Sequence, residues 1–142
     1  MKQRGSSAVE FALIAPLLLT VLIGITSFGH LLFTIHQASE ATRAGARMAA
    51  VCDLNSASIR TAIQSRVPQL SLTNAQIALQ YLPAGCDRSS CQSVLLSLTG
   101  VTYSPWLWIL PAGIPMPAFT TSLPRESLQS VNPAGESNPT CT

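Results

Sequence analysis

Charge is what this sequence has least of. Its 142 residues hold eight Lys/Arg and six Asp/Glu, 10% of the chain, where a soluble domain carries roughly 25%. Residues 11–39 contain none at all. The formal charge of +2 comes from Lys2 and Arg4, because the six arginines and six acids that follow cancel. With no basic patch or stripe, nucleic acid is not an expected partner. Chemistry-bearing motifs are equally scarce. There is no C-x-x-C pair, H-E-x-x-H, Walker loop, G-x-G-x-x-G or serine elbow. The two histidines, His30 and His36, lie nearly two turns apart on an apolar stretch and away from any cysteine, which argues against zinc. Asp53, Asp87, Glu126 and Glu136 are scattered. No enzyme activity, cofactor or metal is expected.

Apolar residues, at 47%, are concentrated near the N-terminus. A membrane span needs about 20 predominantly apolar residues, and the run from Phe11 through FALIAPLLLTVLIGITSF and HLLFTI supplies them. A span over about residues 11–35 is expected. Lys2 and Arg4 precede it, and short basic flanks stay cytoplasmic. The N-terminus is therefore expected inside and the C-terminal region outside the cytoplasm, although Arg43 and Arg47 on the far side weaken the charge bias. Pro16 lies within the run and cannot donate to the carbonyl of Ala12, so a kink is expected there. The helical pattern continues past the membrane into HQASEATRAGARMAAV, which is rich in strong helix formers. Ala41, Gly45 and Ala49 recur every four residues and form a small-residue face that another helix could approach closely. A helix over residues 6–51 would be roughly 69 Å long, about twice the thickness of a bilayer core.

Residues 52–142 read as a small α+β head. CDLNS breaks the helix, and Asn55 or Ser56 could cap a short helix over residues 57–66 that ends at Pro68. Residues 77–82, 93–103 and 119–129 read as strands of a three- or four-stranded antiparallel sheet beside the long helix. Pro124 confines the last of them to an edge or a bulge. All four cysteines, Cys52, Cys86, Cys91 and Cys141, follow the apolar run. An even number in a small exported region suggests two disulfides. Of three possible pairings, Cys86–Cys91 closing a tight loop and Cys52–Cys141 tying down a loose tail is the one expected. PWLWILPAGIPMPAF holds both tryptophans, Trp106 and Trp108, and no charge. Two readings stay open for it, core burial and a partner or membrane-interface contact.

The stretch KQRGSSAVEF poses the sharpest question, because Glu10 sits against the start of the apolar run. A carboxylate in hydrocarbon costs on the order of 2.5–3.5 kcal/mol, less near the interface. An interfacial residue with no special role is one reading. Cleavage after Gly5 would give another. Lys2 and Arg4 would leave, and Ser6 would become an α-amine at a helix N-terminus. Glu10 would then lie in or near the first turn, where the helix dipole favours an acid. It could also neutralise the amine of its own or a neighbouring subunit.

Gly5, four residues, then Glu10 before an aromatic and an apolar helix resembles the type IV pilin leader site. More narrowly, RGSSAVEFALIAPLLLTVLIGITSFG followed by QASEATRAGARMAA resembles the N-terminus of TadE-like proteins, minor pilins or pseudopilins of tight-adherence (Flp-type) pilus systems. The resemblance covers residues 4–51. It implies cleavage by a membrane-embedded aspartyl prepilin peptidase, with Gly5 the last leader residue and Ser6 the first mature one. It also implies an assembly role for Glu10, anchoring in the bacterial inner membrane, a place among other pilins and the pilus assembly machinery, and a part in surface attachment. Phe11 stands where major Flp pilins typically carry Tyr, which favours a minor pilin. The expected organisation is a leader over residues 1–5, a helix over 6–51 and a head over 52–142. An uncleaved signal-anchor scaffold of a secretion apparatus is the rival, and an anchored or secreted enzyme without a recognisable motif is a second. A conventional signal peptide is disfavoured, because no clear A-x-A site follows the core and the helical pattern runs on to Val51.

Overall fold

The computed structural model describes residues 6–105 and 113–141. The chain divides into two compact units, Met1–Phe33 and Thr34–Thr142.

Helix α1 spans Ser6–Val51. In the first unit it carries large apolar side chains on every side, and all but the half-buried Leu31 are open. Phe11 and Leu13 are each 73% exposed, Leu17 68% and Phe28 61%. A helix that is apolar all round belongs in a membrane or a deep core, and no core covers this one. Thr20 and Thr26 turn their hydroxyls inward, donating to the carbonyls of Pro16 and Leu22 at 2.7 and 2.8 Å. Their polar atoms thus find partners within the helix, as a hydrocarbon environment requires. Among the described residues, this is the one helix long and apolar enough to cross a membrane. The helix assignment runs unbroken through Pro16.

The second unit holds the core. The α1 residues Ala38, Ala41, Ala46, Ala49 and Ala50 are buried there. Thr42 is buried with its hydroxyl bonded to the carbonyl of Ala38 at 2.7 Å. The second helix, α2, spans Ala57–Arg66 and buries Ile59 and Ile63, the i,i+4 stripe expected of an amphipathic helix. Among the described residues five strands follow: β1 Ile77–Leu82, β2 Ser93–Leu98, β3 Thr102–Tyr103, β4 Ile114–Pro115 and β5 Phe119–Pro124. The sheet order is β1-β2-β5, antiparallel throughout, with β3 and β4 forming a separate two-stranded sheet. Central β2 alternates cleanly, with Val94, Leu96 and Leu98 buried and the residues between them half-buried. That is the pattern of one face packed on a core.

The molecule is therefore α+β, a long apolar N-terminal helix with a small disulfide-stapled antiparallel head. Three local expectations need adjusting. The run 93–103 is two strands, because Gly100 adopts φ +65° between them and turns the chain out of the sheet. The run 119–129 stops at Pro124, after which the chain leaves the sheet. Ser56 stands at the N-cap of α2 without capping it, since its hydroxyl bonds to that of Ser58 at 2.8 Å.

Candidate functional site

The candidate site begins at the N-terminal end of α1. Gly5, the expected last leader residue, lies outside the described residues. Helix α1 starts at Ser6, and its first turn contains no acid. Glu10 is exposed and lies one turn in, near the first turn. The helix dipole acts mainly within the first turn, so Glu10 stands at the edge of its reach. The direct relation survives. Residues four apart share a helix face, so Glu10 lies on the same side as an amine at position 6. Pro16 is exposed on the same helix.

The small-residue face lies in the second unit. Ala41 and Ala49 are buried, and Gly45 is the point of closest approach. A Cβ at Gly45 would lie 2.6 Å from both Cγ1 and Cδ1 of Ile63 and 3.6 Å from Cδ1 of Leu96. The face that sequence offered to another helix is thus occupied by α2 and β2 of the same chain.

The C-terminal end of α1 is held by a strap that follows β5. A helix leaves its last carbonyls without intrahelical partners. Here the N–H groups of Glu126 and Gln129 donate to the carbonyls of Ala50 and Val51 at 2.9 and 2.6 Å. The hydroxyl of Ser127 also donates to Val51, at 3.0 Å. Leu128, fully buried at φ +48°, plugs the core between these bonds. Sequence reasoning missed the strap. The only signal was Pro124, which ends the strand but does not say where the chain goes next.

Cys52, the residue after α1, bonds to Cys141, and Cys86 bonds to Cys91. The Cys86–Cys91 loop is organised by Asp87, whose Oδ1 accepts from the backbone N–H and hydroxyl of both Ser89 and Ser90 at 2.6–2.8 Å. These bonds hold the Asp87 carboxyl well below the usual carboxylate range. Burial raises the Tyr81 phenol above its ordinary value, while its oxygen accepts the N–H of Asn55 at 3.3 Å. That bond steadies a turn in which Asn55 has φ +57°. Trp106 and Trp108 lie outside the described residues. Among the described residues no cluster of His, Cys, Asp or Glu could hold a metal ion.

The family model of the TadE-like protein matches residues 5–47. The chain therefore carries a TadE-like segment where the sequence resemblance placed one, and that segment ends shortly before the strap begins to enclose α1. No curated protein and no solved structure matches the chain.

Proposed function

We propose that the protein is a membrane-anchored minor pilin of a tight-adherence (Flp-type) pilus system, made as a prepilin and used in assembling the pilus for surface attachment. One observation carries this reading: the TadE-like match begins at Gly5 and covers the stretch of α1 before Thr34, whose large apolar side chains other than Leu31 are open. Such a surface needs lipid or other helices around it.

The mechanism is mechanical and electrostatic. The helix holds the subunit in the inner membrane, with the leader in the cytoplasm and the head outside. A prepilin peptidase cuts after Gly5, which removes Lys2 and Arg4 and leaves an ammonium at Ser6. Glu10 pairs with that ammonium, or with the one on an adjacent subunit, as apolar helices pack side by side. Pairing removes most of the penalty of a lipid-adjacent carboxylate, and an unpaired one is costly. The pair therefore sets the register between subunits.

Intact mass of the protein isolated from cells is the first test. Loss of residues 1–5 supports the prepilin reading, whereas retention of Met1 supports an uncleaved signal-anchor scaffold. Glu10→Gln is the second. It is expected to leave the protein in the membrane and to abolish its entry into the pilus assembly. Normal pili with normal incorporation of Glu10→Gln would remove the role given to this residue.

A further inference from the structure

Membrane anchoring leaves one feature of the head unexplained, a concentration of arginines on its helical side. A groove of about 400 Å³ is lined by Glu40, Arg43, Arg47, Met48, Val51 and Arg66, among others. Arg43 pairs with Glu40 at 2.7 Å, with both side chains largely exposed. Such a pair contributes little. Arg47 and Arg66 form no ion pair among the described residues, so the described lining side chains carry an excess of two positive charges. Arg43 and Arg47 are also four residues apart on α1, where like charges disfavour the helix.

The direction of the groove suggests its occupant. Helix α2 and the turn after it run back along α1, because Ile63 lies against Gly45 and the side-chain amide of Gln69 donates to that of Gln37. Arg66 therefore falls between these two levels, beside Arg43. Arg43 follows the uncharged run along α1. That run, residues 11–39, has 29 residues and is roughly 43 Å long as a helix, which matches the roughly 40–45 Å of a bilayer with its headgroups. Arg43 is one turn beyond it. Arginine side chains on a helix lean towards its N-terminus, here towards the bilayer, and a guanidinium matches a phosphate in both shape and charge.

We propose that this groove docks the phosphate of an anionic phospholipid headgroup in the leaflet from which the head emerges. The aliphatic parts of Met48 and Val51 line the groove alongside the cations. The arginines that oppose the usual charge asymmetry of a membrane protein then have a use, which is to seat the head against the leaflet. The inference rests on membrane anchoring but not on cleavage, on pilus assembly or on Glu10.

The test uses the full chain in nanodiscs of mixed phosphatidylcholine and phosphatidylglycerol, with retained lipids counted by native mass spectrometry. Wild type is expected to retain phosphatidylglycerol preferentially, by roughly fivefold for each uncompensated arginine at low salt, and less as salt rises. Arg43→Gln, Arg47→Gln and Arg66→Gln combined should lose the preference. The corresponding Lys triple variant, which keeps the charge, should retain most of it and controls for folding. Equal retention of the two lipids by wild type, or a preference that the Gln variant keeps, overturns the inference and leaves the anchor reading intact. Displacement by inorganic phosphate at matched ionic strength would assign the groove to a soluble anion and also overturn it. Association between copies that disappears in the Gln variant, with no lipid preference, would assign it to a protein contact. Failure of wild type to enter nanodiscs at all would overturn both readings.

Discussion

The two stretches of α1 on either side of Thr34 have the same backbone and opposite side-chain logic. Before it, Leu, Ile, Val and Phe are large and exposed. After it, Ala, Gly and Thr are small and buried. Size and burial usually go together in a globular protein, and here they are reversed. The reversal shows which neighbour each stretch was shaped for. Large side chains suit a partner that is fluid or supplied later, such as lipid or other helices. Small ones suit a partner already fixed in place, because they let Ile63 and Leu96 come within contact of the helix backbone.

The largest test of that contrast is to release the far end of the buried stretch. Replacing Cys52 and Cys141 together by Ser opens a link between residues 89 apart. Chain entropy alone assigns such a link roughly 4–5 kcal/mol. Thermal melting of the variant should therefore fall steeply, and far more than when Cys86 and Cys91 are replaced, since their separation is only 5 residues. Equal losses from the two pairs would show that the strap, and not the crosslink, holds the helix end.

A smaller effect is expected at the closest approach. Gly45→Ala should destabilise the head by about 1–3 kcal/mol, because the added methyl overlaps Ile63 and overpacking outweighs the gain in helix propensity. Chemical denaturation followed at the head would measure it. A stabilised Gly45→Ala would mean that Ile63 has room to move and that the small-residue face is not tightly fitted.

The acid response of the Cys86–Cys91 loop should be gentler again. Asp87 has a lowered carboxyl in the folded loop. Its contribution is therefore complete above the ordinary carboxylate pKa of about 3.9 and disappears as pH falls through the folded value. Amide exchange at Ser89 and Ser90 should stay protected at pH 4 and rise only in stronger acid. Asp87→Asn should remove that pH dependence. The smallest effect belongs to the exposed stretch. Leu18→Ala removes a side chain that is 54% exposed, and it should shift melting of the head by less than about 0.5 kcal/mol. A larger shift would mean that the two stretches are coupled.

Much of this contrast was legible in the residues. The uncharged run, the Ala-rich continuation and the end of the helix at Val51 follow from composition and period alone. Both disulfides follow from the cysteine positions once a tight loop and a loose tail are recognised. What could not be read was the partner of each face. Ala41, Gly45 and Ala49 announce a close approach but not whether the approaching element belongs to the same chain. The strap was hidden for a related reason. Glu126, Ser127 and Gln129 satisfy their hydrogen bonds against carbonyls more than 70 positions upstream, and no local pattern encodes such a distant match. At the N-terminal end, Gly5 and Glu10 were noticed through their spacing. Geometry added one detail, that the acid stands a turn inside the helix.

The bond between Cys52 and Cys141 has a consequence for force. Tension between α1 and a point beyond Cys141 crosses directly from Cys52 to Cys141. The intervening residues form a covalent ring that bears none of the tension. The head can thus be dragged by its helix without being unravelled, and only a reductant would turn it into a chain that force can unwind.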